Sequence, residues 1–412
     1  MGMEDQDILS RADRWKILSI FTGTYFFSAF AALCFAPLLP FISEELHISS
    51  ASLGLFVSLI YFGALASGFP VGLLSDYWGV PKTITLGLLI FGLSLGFVAC
   101  SPSFNLMAVF LFIAGMGYGV LNPATSKGVI LWFTAKWRAT AMAVKQTGFT
   151  LGTMAAAVIL PSVAEVTGWR WSVAIVAVAV IFFGFIGYVM YPATVTKKKP
   201  EDKCSIPVKK KKGSSVWKNK QIVFYSIISI FLAAVQMSGT AYLALYMVHY
   251  FSYTKVQAGL FLGLTQGFGA LGRVFWGRIS DLYFAEHRNN EVILIGLMSS
   301  ITCIIIGLLP VNTHYMIIGI IAAFFGFAAF GFNVLFLTLI GEIAGPEKAG
   351  QAIGLWVTIC YFGVVISPPI FGYGIDTIGY NNSWISLGAI VGLVMVFTIF
   401  YTRTKSFKSC SG

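Results

Sequence analysis

Charge is what this chain has least of. Only 10% of its 412 residues are Asp, Glu, Lys or Arg, against roughly a quarter in a soluble domain. Acids are scarcer than bases: there are sixteen, and each falls in a loop, in a tail or at the end of an apolar run. Glu342 reads as the deepest of them. A carrier that passes protons through a mid-span carboxylate needs an acid elsewhere, and carriers of organic cations usually do too, so both classes lose ground. The six cysteines (Cys34, Cys100, Cys204, Cys303, Cys360 and Cys410) show no paired spacing and sit mostly in apolar runs. They read as small packing residues rather than disulfide or metal partners. His47, His249, His287 and His314 lie at the ends of apolar runs or in loops, with no nucleophile motif or metal spacing beside them. Neither an enzyme nor a cofactor is expected. The start carries four acids before the first apolar run, which is no cleavable signal peptide. Met1 and Gly2 followed by Asp5 and Gln6 also make a poor myristoylation site.

What the chain has instead is apolar length, with 57% hydrophobic residues. A membrane span takes about 20 such residues, and the sequence offers about twelve stretches of that size, spans one to twelve, near 16–40, 51–74, 83–101, 105–132, 139–161, 171–191, 221–249, 257–276, 291–309, 314–341, 350–372 and 384–402. Hydrocarbon requires every backbone amide to be satisfied internally, which long apolar runs do as helices. The alternation of a membrane barrel is absent. The expected fold is therefore an all-α membrane protein with twelve transmembrane helices in two pseudo-symmetric six-helix bundles. A net charge of +11 suggests nucleic acid until its placement is read. With an even number of spans, nearly all Lys and Arg fall on the side of the termini. Only Arg170 and Lys255 occupy loops on the other side, and Lys127, Lys145 and Arg273 lie within spans. Positive loops mark the cytoplasm, so the expectation is a multi-pass plasma-membrane protein with both termini cytoplasmic and no nucleic-acid partner.

The longest polar interruption, 192–220, is lysine-rich and reads as a solvated cytoplasmic linker. It separates an N-terminal six-helix bundle, 1–191, from a C-terminal one, 221–412. The halves echo each other: Gly72-Leu-Leu-Ser-Asp76 after span two matches Gly277-Arg-Ile-Ser-Asp281 after span eight. Arg138 opens span five as Lys348 precedes span eleven, and Pro161 is matched by Pro368 and Pro369. Weak internal symmetry with matched helix breakers points to a repeat-built carrier working by alternating access, its site between the halves near the midplane. One chain holds both halves, so a monomer suffices.

The loop Gly72 to Lys82, GLLSDYWGVPK, resembles the signature of the major facilitator superfamily through Gly72, Asp76, Gly79 and Lys82; Val80 and Pro81 depart from it. The second copy, Gly272 to Asp281, supports the same resemblance. The run Asn122 to Gly152, with Pro161 and Gly168 to Trp171, looks like prokaryotic cyanate-permease and organic-anion carriers. Span eight, with Arg273, Gly277 and Asp281, is similar to oxalate-formate and monocarboxylate carriers. That likeness implies that Arg273 binds a substrate carboxylate. Two departures qualify it: span eleven holds no lysine between Lys348 and Arg403, and span one no charge between Lys16 and Glu44. Gly72, Asp76, Gly277, Arg278, Asp281 and Glu342 are candidate gating residues, with Glu342 read as a gate partner for Arg278 over the alternative of a proton carrier.

A charge within a span costs roughly 2.5–3.5 kcal/mol and is a functional candidate. Lys145 shares its helix face with Ala141, Gly148, Gly152 and Ala156, and Arg273 with Gln266, Gly269, Ala270 and Gly277. Small residues mark helix contact, so both cations are expected to point into protein. Two readings stand: the pair grips an anion, or each snorkels to headgroups. Lys127, with a mixed face, favours the plainer reading. Gln146, Gln266, Tyr118, Asn122, Tyr242, His249, Asn333 and Tyr361 complete the candidate binding residues on helix-face grounds. His249 is the group that could carry a coupled proton, set against a plain interfacial histidine. The expected function is secondary transport of a small organic anion, a mono- or dicarboxylate, by proton symport or anion exchange (antiport). The alternative is an exporter of hydrophobic, drug-like compounds, which the 16% aromatic content would suit.

Overall fold

The computed structural model describes residues 11–133, 135–191, 216–284, 288–345 and 348–409; for 11–12, 68–77, 135–136, 139 and 403–409 it describes the backbone alone. All regular structure among the described residues is helical. The helices are α1 (Arg11–Ala32), α2 (Phe35–Leu46), α3 (Ser50–Trp78), α4 (Val80–Cys100), α5 (Phe104–Trp132), α6 (Ala135–Thr167), α7 (Trp169–Met190), α8 (Lys220–His249), α9 (Lys255–Tyr283), α10 (Arg288–Leu308), α11 (Tyr315–Ala329), α12 (Phe332–Ala344) and α13 (Ala349–Ser409). Ten helical stretches among the described residues are long and apolar enough to cross a membrane. Two further crossings agree with the expected twelve. The stretch Ala349–Thr402 is 54 residues long, enough for two, and α9 is 29 residues long with Gln266, Arg273 and several glycines diluting its apolarity.

Local chemistry explains where the helices break. Pro37 and Pro40 lack the amide hydrogens that would carry α1 on, and the chain breaks at Leu33–Cys34 before α2 resumes. Gly168 (φ 84) opens α7 and Gly379 (φ 80) divides α13. Both are left-handed positions that a side chain resists. The same one-glycine joint therefore links spans five and six and spans eleven and twelve.

The described residues form two compact units whose borders run through helices. One comprises 11–34, 59–156 and 166–191; the other 35–58, 157–165 and 216–409. In the first, glycines bring backbones together. A Cβ on Gly148 or Gly152 would lie 2.2 Å from Thr22 O or Phe26 O of α1. A Cβ on Gly63 or Gly115 would lie 2.1 Å from Phe112 O or Ile60 O. In the second, Gly326 approaches Thr265 O on α9 and Gly363 approaches Ile230 O on α8 in the same way. Thr265 Oγ1 donates to Ala322 O at 3.1 Å, and Ser300 Oγ to Gly388 O at 2.7 Å. Trp384 is fully buried against Tyr246, Phe325 and Phe371.

Candidate functional site

In the first unit, Lys145 of α6 is 1% exposed. The close Gly148 and Gly152 seats on α1 press this face of α6 inward, as the small-residue stripe predicts. Nζ of Lys145 donates to Ser126 Oγ at 2.8 Å and Thr125 Oγ1 at 3.4 Å, and lies 4.3 Å from the centre of the Tyr25 ring. Ser126 Oγ donates to Asn122 Oδ1 at 3.2 Å, and the Tyr25 hydroxyl donates to the same oxygen. One amide oxygen thus fixes two of the three groups that hold the ammonium. The charge is met by hydroxyls and a ring face; no acid pairs with Lys145 among the described residues. Tyr25, Thr125 and Ser126 escaped the sequence reading, although Asn122, Ser126 and the preceding Thr125 lie within one or two turns of α5. Tyr118 belongs to a ring cluster with Tyr61 and Phe91. Gln146, next to Lys145 in sequence, faces away and is exposed.

In the second unit, Arg273 of α9 is half-buried. Its Nε donates to Phe330 O at 3.4 Å, and its guanidinium carbon lies 5.9 Å from the Phe330 ring centre. Phe330 sits in a break in span ten, where α11 ends at Ala329 and α12 starts at Phe332. Trp276 enforces the break: a Cβ on Gly331 would lie 2.3 Å from its ring, and its Nε1 donates to Phe327 O at 3.0 Å. Carbonyls released at the end of α11 are thus satisfied by side chains of α9, as a buried helix end requires. One turn past Phe330, Asn333 Nδ2 donates to Gln236 Oε1 at 3.2 Å, and Gln236 is only 7% exposed. Gln236 was missed, though an amide in the middle of an apolar run is a legible signal. Gln266 is 4% exposed on α9, and Tyr361 is half-buried on α13.

Tyr242 is fully buried, and its hydroxyl donates to Ser50 O at 2.6 Å. Beside it the Asp376 carboxylate accepts from the amides of Ser50 and Ala51, at 3.0 and 3.1 Å. An acid from α13 therefore caps the N-terminus of α3. Lys255 pairs with Glu44 and lies 4.4 Å from the Phe41 ring centre. His249 is exposed at the end of α8, its ring 6.2 Å from that of Tyr380.

The expected pairing of Glu342 with Arg278 is corrected. Arg288 holds Glu342 through two bonds, Nε to Oε2 at 2.7 Å and Nη2 to Oε1 at 2.8 Å. Nη2 also reaches Asp281 Oδ1 at 3.2 Å and Nη1 donates to Ser280 Oγ, while Arg278 is exposed. Glu342 is not the deepest acid either. Its side chain is 50% exposed, whereas Glu291, in the first turn of α10, is fully buried. Gly277 lies against Val334. The side chains at positions 72 and 76, expected at Gly72 and Asp76 to serve a gate, lie outside the described residues.

Broken apolar helices, charges held within spans and twelve crossings define a multi-pass helical membrane transporter. The model of the Major Facilitator Superfamily matches residues 21–368, and the chain belongs to that family. It is 27% identical over 379 residues to an uncharacterized MFS-type transporter of Mycobacterium tuberculosis, covering 91% of this chain and 82% of the relative. It is 25% identical over 424 residues to the "Probable hexose phosphate transport protein" of Chlamydia trachomatis, covering 95% and 92%. The structure of a bacterial homologue of the human lysosomal transporter Spinster is similar in fold, with a TM-score of 0.78 at 16% identity, covering 96% of this chain and 98% of that one.

Proposed function

We propose that this transporter carries a small organic anion, a mono- or dicarboxylate or an anion of like size, by alternating access. The observation that carries the reading is Lys145: a cation 1% exposed within a span, held by hydroxyls and a ring and paired with no acid among the described residues. A charge placed so is costly unless it serves a ligand, and an anion is the ligand that compensates it. Arg273, beside the break in span ten, is the second cation of the reading. The chlamydial relative supports it, since hexose phosphate is an organic anion. Coupling is by proton symport or by exchange of anions. The positive loops support the reading of a plasma-membrane protein with both termini cytoplasmic. Clipping of terminal tags by protease from the cytoplasmic face alone checks that orientation.

The test is thermal stabilisation of the detergent-purified protein by a panel of carboxylates, sulfonates, sugars and hydrophobic cations, on wild type, Lys145→Ala and Arg273→Ala. Stabilisation of wild type by an anion, lost in both variants, is the expected result. If only neutral or cationic compounds stabilise, and the variants respond as wild type does, the anion reading fails and export of hydrophobic compounds replaces it.

A further inference from the structure

The amide pair at the break in span ten has hydrogen-bonding capacity that its mutual bond leaves unspent. Asn333 Nδ2 donates to Gln236 Oε1 at 3.2 Å. Gln236 Nε2 and Asn333 Oδ1 enter no further hydrogen bond among the described residues. A primary amide carries two donor hydrogens and an acceptor oxygen with two lone pairs, so the pair presents a donor beside an acceptor. A hydroxyl group complements that array, because it accepts and donates at once; a methylene can do neither. Gln236 as a whole is 7% exposed, and neither Gln236 Nε2 nor Asn333 Oδ1 is among the fully buried, unbonded polar atoms of the described residues, so both stay open to solvent or a ligand. On α9, Arg273 is bonded to Phe330 O, three residues before Asn333. A positive charge from α9 and an amide pair shared by α8 and α12 are therefore both anchored at the break in span ten. Gln266, 4% exposed on the helix that carries Arg273, adds a second buried amide.

We infer that the second unit selects anions that also carry hydroxyl groups, of the sugar-acid class, over plain aliphatic carboxylates. This rests on the anion reading and narrows it. Arg273 takes the anionic group, while Gln236 Nε2 donates to a substrate hydroxyl that in turn donates to Asn333 Oδ1. A site built to bond a hydroxyl disfavours the analogue lacking it, because a methylene displaces water from the amides without replacing its bonds.

Isothermal titration of the purified full chain with gluconate, hexanoate and glucose tests it. Wild type is expected to bind gluconate at least about tenfold more tightly than hexanoate. Gln236→Leu and Asn333→Leu should bring that ratio close to one, the loss falling mainly on gluconate. Equal affinity of wild type for gluconate and hexanoate overturns the inference and leaves the anion reading standing. A proportional loss of both ligands in the leucine variants also overturns it, since the pair would then serve only the fold. Should a variant not fold, the wild-type comparison decides alone. If glucose binds as tightly as gluconate, or neither anion binds, the anion reading itself fails and takes this inference with it.

Discussion

A lysine that meets no acid among the described residues is held in place for something. Nζ of Lys145 has a short bond to Ser126 Oγ and the Tyr25 ring under it, and both groups are tied to Asn122 Oδ1. Hydroxyls and a ring face compensate an ammonium only in part, so the unliganded protein carries a desolvation cost at this position. Lys145→Met keeps the bulk and removes the charge. The unliganded variant should be more stable than wild type by roughly 1–3 kcal/mol, within the range seen when buried charges give way to apolar groups. It should also lose its response to anions. Thermal unfolding with and without the stabilising anion measures both. An unliganded midpoint below that of wild type would mean that Lys145 holds the fold together. The Arg288 group teaches a related lesson at this scale. Glu342 reads along the chain as a partner for Arg278, yet it and Asp281 both lie on Arg288, which that reading passed over.

At the scale of elements, the informative features are helix ends. The N-terminus of α3 presents unsatisfied amides, and an acid from a residue more than three hundred positions away takes two of them, Asp376 on Ser50 and Ala51. Tyr242 adds a bond to Ser50 O, and Gly54 and Gly372 make room, each so close that a Cβ would meet the Tyr242 hydroxyl, at 2.4 and 2.3 Å. Asp376→Asn keeps the shape and removes the charge that favours a helix N-terminus. The expected cost is about 0.5–2 kcal/mol, seen as faster hydrogen exchange at the amides of Ser50 to Leu53 with little change elsewhere in α3. Unchanged exchange there would show that the packing around Tyr242 suffices. The break in span ten is a second helix end under tertiary control. No proline marks it; Trp276 against Gly331 and the Arg273 bond to Phe330 O produce it.

At the scale of the whole molecule, the number of crossings and the family were legible because both rest on local quantities. Apolar length per segment reports the cost of exposing amides to hydrocarbon, and the Gly72–Lys82 loop is a contiguous motif. The inward orientation of Lys145 was legible for the same reason, since Gly148 and Gly152 lie at helical spacing from it. The inward orientation of Arg273 follows likewise from Gly269, four residues before it, which seats against Phe330. Periodicity reports which face of a helix meets protein but not which residue waits there. Tyr25, Ser126, Gln236, Arg288 and Asp376 all became partners of named groups through contacts between distant segments, and no spacing along the chain encodes such contacts. The sequence by itself determined the solvent, the helices and the faces that carry charge, because hydrophobicity and helical period act over a few residues. Only the tertiary structure decided which hydroxyls hold the lysine, which arginine holds the acids and where span ten breaks. Those outcomes depend on side chains meeting across helices, where close packing leaves each polar group few partners within reach.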